Sequence, residues 1–210
     1  MTGAATGLSY AVLGPHDIGA ALEDLARLRI AVFRDWPYLY DGDATYEARY
    51  LGQFAASRGA VIVAAYTADG EMVGAATAAP LRDHAEEFAA PFARAGLDVA
   101  EHFYLAESVL LPGYRGQGAG RTFFEMREAA ARAQGFDRAV FASVMRPPDH
   151  PARPAGYVPL DGFWRRLGYV PLEGLIAEFN WRDIGEARES AKPLQVWGRQ
   201  LSSGAPGQNV

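Results

Sequence analysis

The sequence predicts an α/β (α+β) fold, a mixed and mostly antiparallel central sheet of six to seven strands flanked by helices. Three observations predict it: strand-like and helix-like segments alternate along the chain, an Asp-Gly pair joins two apolar runs as a hairpin, and no repeat or linker divides the core. The 210 residues, 50% of them hydrophobic and 21% charged, are enough to bury a generous apolar core without staples. The expected organisation is one domain over residues 1–201, followed by a frayed tail at 202–210.

Leu8 to Leu13 is a short strand closed by Gly14-Pro15. Ile18, Leu22, Leu25 and Val32 fall at helical spacing, so residues 17–33 form an amphipathic helix with Asp17 as its N-cap. Arg34 to Asp43 is non-helical, and Thr45, Glu47 and Arg49 open a shorter helix ending near Ser57. Ala60 to Tyr66 and Met72 to Thr77 flank Ala68-Asp69-Gly70 as adjacent antiparallel strands. Arg82 to Ala95 reads as an exposed, acid-rich helical segment, and Glu101 to Leu111 as the next strand. A long helix from Gly116 to Ala133 places Phe123, Met126, Ala130 and Ala133 on one face, with Gly135 as terminator. Arg138 to Val144 is a buried strand, and a proline-rich loop from Met145 to Pro159 is too long for a mere connection. A short helix from Leu160 to Leu167 and strands near Leu175 to Trp181 and Leu194 to Arg199 complete the chain.

Composition excludes several chemistries. Cysteine is absent, which removes disulfides, thiolate metal sites and a cysteine nucleophile. Of the 20 basic residues 19 are arginine and one is Lys192, so a Walker A or Schiff-base mechanism has almost nothing to work with. The four histidines lack the spacing that puts two ligands on one face, so no metal is expected. A formal net charge of −5 without a basic stripe argues against nucleic acid. No segment has the length and hydropathy of a membrane span, so a cytoplasmic protein is expected. A homodimer is compatible with the sequence.

The chemistry-bearing stretch is Glu107 to Arg121, ESVLLPGYRGQGAGR: a strand, a proline that ends it, and a glycine-dense turn entering a helix. Glycines at 116, 118 and 120 let a ligand approach the backbone and leave amides pointing one way at a helix N-terminus, an anion site suited to a pyrophosphate. The competing reading is tight strand-to-helix packing. A P-loop is excluded because no lysine follows the glycines, and a dinucleotide fingerprint because position 121 is arginine.

The segment closely resembles the acetyl-CoA motif of the GNAT superfamily of N-acetyltransferases, with Arg115-Gly116-Gln117-Gly118-Ala119-Gly120 behind Pro112. Phe163-Trp164-Arg165-Arg166-Leu167-Gly168-Tyr169 resembles the family's second motif, and the element order from residue 8 to about 200 is similar to the family's. The resemblance implies acetyl-CoA as acyl donor. The backbone of Ser108, Val109 and Leu110 would bond the pantetheine arm, and the amides of Gly116, Gln117, Gly118, Ala119, Gly120 and Arg121 would hold the pyrophosphate. It also implies a transferase moving an acetyl group directly to a primary amine of a small molecule. The rivals are transfer to a peptide or protein amine, and a non-catalytic acyl-CoA-binding module.

Such a transfer needs a neutral amine, a group that takes its proton and a route for the departing thiolate. Glu107 is the acid nearest the cofactor strand. It is either the base or one half of an ion pair with an arginine, and the cost of a carboxylate in an apolar strand favours the base. Tyr104, opposite Glu107 by strict alternation, either orders a proton-carrying water or is a core tyrosine. Where the family's second motif usually has tyrosine this chain has Trp164, a packing residue or a pantetheine wall, and the usual asparagine seven residues earlier is Tyr157. Either Tyr157 takes over as acid or the thiolate leaves unassisted. For the acceptor, Asp35, Trp36, Tyr38, Tyr40, Asp41 and Asp43 combine carboxylates and aromatic faces suited to an ammonium group, or else pack a helix corner. The loop from Arg146 to Tyr157, with Asp149, His150 and Arg153, is the second candidate wall.

Overall fold

The computed structural model describes residues 7–84 and 86–201; the tail expected at 202–210 lies outside them. In order the chain forms β1 (Ser9–Leu13), α1 (Ile18–Phe33), α2 (Ala44–Ala55), β2 (Val61–Tyr66), β3 (Met72–Pro80), α3 (Glu86–Arg94) and β4 (His102–Leu110). There follow α4 (Ala119–Ala133), β5 (Arg138–Val144), α5 (Asp161–Arg166), β6 (Val170–Trp181) and β7 (Ser190–Gln200). The seven strands make one sheet in the order β1-β2-β3-β4-β5-β7-β6. Only the central β4–β5 pair is parallel.

Alternation along the strands sorts side chains into two apolar layers. Ile62, Ala64, Ala75, Tyr104 and Val109 pack with α1, α2 and α3, whereas Val61, Val63, Phe103, Leu105 and Phe141 pack toward α4 and α5.

Several expected elements shift, each for a local reason. Asp17 sits at the N-cap of α1 but its side chain makes no capping bond; Asp43 caps α2, accepting from the Tyr46 amide at 2.9 Å. The segment expected as an exposed helix at 82–95 is a 3-10 turn followed by α3, which buries Phe88, Pro91 and Phe92. Helix α4 begins at Ala119 because Gly116 and Gly118 adopt φ of 79° and 90°, outside the helical region. Its buried face contains Phe123, Phe124, Arg127, Glu128 and Ala131, while Met126 and Ala130 are half-buried and Ala133 is exposed. Strands β6 and β7 run longer than expected; both Pro171 and Pro193 fall in their ladder, whose register slips between Pro171 and Ile176.

Two irregularities in the middle of the sheet create the site. Strands β4 and β5 pair only from His102↔Arg138 to Tyr104↔Val140 and then diverge. On its other side β4 pairs with β3, but the register slips between Ala76↔Ser108 and Ala78↔Leu105, so Ala106 and Glu107 together oppose Thr77. This is a β-bulge, which re-aims side chains and frees backbone groups. Arg127 satisfies them: from α4 its guanidinium donates to the carbonyls of Thr77 and Glu107, both at 3.1 Å, and to the Ser108 hydroxyl at 2.9 Å. The side chain is 1% exposed, and burial brings the guanidinium down to about 10.

Candidate active site

Strand β4 runs through the wedge left by the diverging β5, so the edge from Leu105 to Leu110 has no strand partner on that side. Pro112 ends the strand in a 3-10 turn, and the chain reaches Gly118, the N-cap of α4. A Cβ at Gly116 or Gly118 would meet nothing within 4 Å, so the loop is an open concavity of backbone at the positive end of a 15-residue helix. That cradle fits a pyrophosphate. Arg115 donates to the Leu110 carbonyl at 3.1 Å, tying the loop to the strand, and Arg121 pairs with Glu125 at 3.6 Å on the exposed side of α4.

Beyond the wedge lies a cavity of about 70 Å³ between the sheet, α1, α2, α3 and the β6–β7 hairpin. Nine of its fourteen lining residues are aromatic, and its charged lining residues are Arg29 and Glu107. Arg29, on α1, donates from Nε to Glu47 at 2.5 Å and bonds Glu107 Oε1 from an Nη at 2.9 Å; its guanidinium lies 4.4 Å from the Tyr50 ring centroid. Glu47 is fully buried behind it on α2, and Glu107 is 7% exposed at the bulge. Burial works against the Arg29 charge, but Glu107, Tyr50 and Glu47 outweigh it and hold the group firmly protonated. The cluster thus carries one positive and two negative charges.

The tyrosines around it are held as neutral phenols. Burial, then the charge of Glu107, pushes Tyr38 up to about 12. Burial also raises Tyr104 well above its usual value, although the Ala142 amide bonds its hydroxyl. Tyr40 is raised by burial and by Glu47, which its hydroxyl faces. His84 packs its ring 4.7 Å from that of Tyr104 with Nε2 buried and unbonded; burial lowers it to about 4 against the pull of Glu107 and Asp83.

The structure brings four of the sequence-predicted residues together here: Glu107, Tyr104, Tyr38 and Tyr40 all line the cavity. Tyr104 is not opposite Glu107, because the bulge at Ala106 and Glu107 inserts one residue into the alternation. The arginine partner of Glu107 comes from a helix in the interior, not from the sheet edge. Tyr157 does not reach the cavity; its ring packs edge-on against Trp36, 5.9 Å away, and under Arg153. Trp36 packs against His150 and Tyr157 outside the cavity. Asp35 and Asp149 are exposed, Asp41 pairs with Arg182 at 2.9 Å, and Asp43 is spent on the helix cap. Trp164 packs on Phe141 and Trp197, with ring centroids at 5.0 and 5.2 Å. Ser108 is exposed, Val109 is buried and Leu110 packs its side chain over Gly74.

Sequence reasoning missed Arg29, Glu47, Arg127 and Arg146. Arg146 anchors the loop carrying Tyr38: it forks onto Asp183 at 2.7 and 2.9 Å and donates to the carbonyls of Pro37 at 2.8 Å and Tyr38 at 2.7 Å. Trp181 adds a bond from Nε1 to the Tyr38 carbonyl at 3.0 Å. The available signal for Arg29 and Arg127 was an arginine falling on the apolar stripe of its helix, which implies a buried partner.

The family model described as acetyltransferase (GNAT) family matches residues 24–169. No curated protein matches the chain at the sequence level. Among solved structures it resembles a GCN5-related N-acetyltransferase from Kribbella flavida, at 18% identity and TM-score 0.55 over 92% of this chain and 98% of that one. It also resembles the Salmonella typhimurium protein yncA solved with its cofactor acetyl-CoA, at 13% identity and TM-score 0.58 over 97% and 99%. A third is a ribosomal-protein-alanine N-acetyltransferase from Brucella melitensis, at 14% identity and TM-score 0.59 over 92% and 99%. At these identities the likeness is one of fold. Among the described residues no helix is long and apolar enough to cross a membrane.

Proposed function

The chain belongs to the acetyltransferase (GNAT) family, and from that premise we propose that it transfers an acetyl group from acetyl-CoA directly to the primary amine of a small molecule. The observation that carries this reading is the buried Glu107 at the bulge of β4, beside the wedge between β4 and β5 and in the lining of a small aromatic cavity. Acetyl-CoA supplies the activated acyl group as a thioester. The amides of Gly116 to Arg121 hold its pyrophosphate, and the unpaired edge of Ser108, Val109 and Leu110 bonds its pantetheine arm.

Glu107 pairs with the incoming ammonium; the nitrogen gives its first proton to solvent and so becomes a nucleophile, and Glu107 takes the second, lost as the carbon–nitrogen bond forms and the carbon–sulfur bond breaks. Arg29 fixes the carboxylate by bonding Oε1, which leaves Oε2 for the acceptor nitrogen. Tyr104, at the last position where β4 still pairs with β5, lines the cavity beside them as a neutral phenol. The thiol proton comes from solvent at the wedge mouth: an ordinary thiol with a pKa near about 8.5 leaves as thiolate without an acid of its own, and Tyr157 stands outside the cavity. A cavity of about 70 Å³ lined mostly by aromatic rings favours a small acceptor over a peptide chain.

The test is release of free thiol from acetyl-CoA over a panel of primary amines, with acetylated product identified by mass. Turnover on a small amine supports the reading. Turnover on a peptide amine alone points to the protein-directed rival, and tight acetyl-CoA binding without any turnover points to a non-catalytic acyl-CoA module.

A further inference from the structure

We infer that the acceptor is a short apolar monoamine, an alkylamine carrying no second charge, with its nitrogen at Glu107 and its hydrocarbon among the aromatic rings. This deepens the acetyltransferase reading and rests on it. Three features of the cavity carry it.

The first is charge. Arg29 is already committed to Glu47 and Glu107, so a carboxylate or phosphate on the acceptor finds no free cation in the lining. Glu47 is fully buried and does not line the cavity, so a second ammonium finds no second carboxylate. Of the three charges one negative remains uncompensated, which one alkylammonium group balances. The second is polarity. The lining contains no Asn, Gln, Ser, Thr, Asp or Lys; apart from Arg29 and Glu107 its polar side-chain groups belong to tyrosines and Trp181, set on nine aromatic rings. A sugar or polyol would meet mostly ring faces there in place of its hydration. The third is size. About 70 Å³ is roughly half of the 150 Å³ or so that holds a benzene ring in an apolar protein cavity, so a chain of a few carbons fits without rearrangement. Phe88 on α3 and Phe179 on β6, stacked at 5.2 Å, both line it.

The experiment compares n-propyl-, n-butyl- and n-pentylamine with 1,4-diaminobutane, 4-aminobutanoate and an amino sugar. It measures kcat/KM by thiol release, and it measures acceptor binding by calorimetry on the CoA-saturated protein. The expected result is a rise of roughly three- to fourfold in kcat/KM per methylene, with the diamine and the amino acid at least 30-fold below butylamine. Phe88→Leu and Phe179→Leu are expected to move the optimum to longer chains while CoA affinity stays constant, which reports that each variant is folded. If the diamine, amino acid or amino sugar matches butylamine, the inference is overturned while the acetyltransferase reading stands. If alkylamines bind but nothing is turned over, the transferase reading fails and the cavity assignment stands. If no alkylamine binds, the assignment itself is wrong.

Discussion

The two ends of the cleft are made of different material. The donor end is backbone: an unpaired strand edge, two glycines with positive φ and the amides of a helix N-terminus, all within residues 108–121 and open to solvent. The acceptor end is side chains: Arg29 from α1, Glu47 from α2, Glu107 from β4, and rings from those elements and three further segments set around a small cavity. A backbone site tolerates side-chain change except where a side chain would enter it. A site of buried charges depends on every partner, because removing one leaves another unpaired. Substitutions at the two ends therefore fail in different currencies, affinity for the donor at one and turnover or stability at the other.

The sharpest break at the donor end is Gly118→Asp. It places a Cβ on a residue at φ 90° and a negative charge where the phosphates arrive, and acetyl-CoA affinity by calorimetry is expected to fall 1,000-fold or more, about 4 kcal/mol. Arg127→Met removes the guanidinium that bonds two bulge carbonyls. The melting midpoint in denaturant is expected to drop by an amount equivalent to roughly 3 kcal/mol, since those carbonyls are left buried and unbonded.

His84 separates the two ends by pH. Its folded pKa, about 4, lies below that of a free histidine, so the unfolded chain binds the proton first. Its contribution is fully present above pH about 6.5 and is lost as pH falls toward 4, a drop of about 3 kcal/mol. His84→Leu is expected to flatten the stability curve across that window, and an unchanged curve would show that the imidazole is not held neutral. The mildest effect is at the acceptor wall. Arg146→Lys keeps the charge on Asp183 but loses the fork that also holds Pro37 and Tyr38, so KM for the amine is expected to rise about tenfold, ~1.4 kcal/mol, with donor affinity unchanged.

The same contrast decides what the sequence makes legible. Seven strands, their antiparallel bias and the glycine loop follow from local pattern, because periodicity and turn chemistry act over a few residues. The donor cradle is equally local, a strand, a proline and three glycines in one run. The acceptor cavity is not. Asp35, Asp41 and Asp43 look like the acceptor carboxylates because they sit beside Trp36, Tyr38 and Tyr40 in sequence, yet in space they are exposed, paired with Arg182 and spent on a cap. The carboxylates that reach the cluster are Glu47 and Glu107, 60 residues apart by number and joined through Arg29. Tyr104 looks opposed to Glu107 under strict alternation, and only the bulge held by Arg127, itself a long-range contact from α4, brings both into one cavity.

On the proposed function, donor binding and proton handling are separate, the first belonging to the backbone cradle and the second to Glu107. Calorimetry of acetyl-CoA binding on Glu107→Gln, paired with turnover on the best amine, tests it most directly. The prediction is a donor Kd within twofold of the unsubstituted protein and a kcat lower by roughly 100-fold or more. Donor affinity falling in step with turnover, or turnover left unchanged, would contradict it.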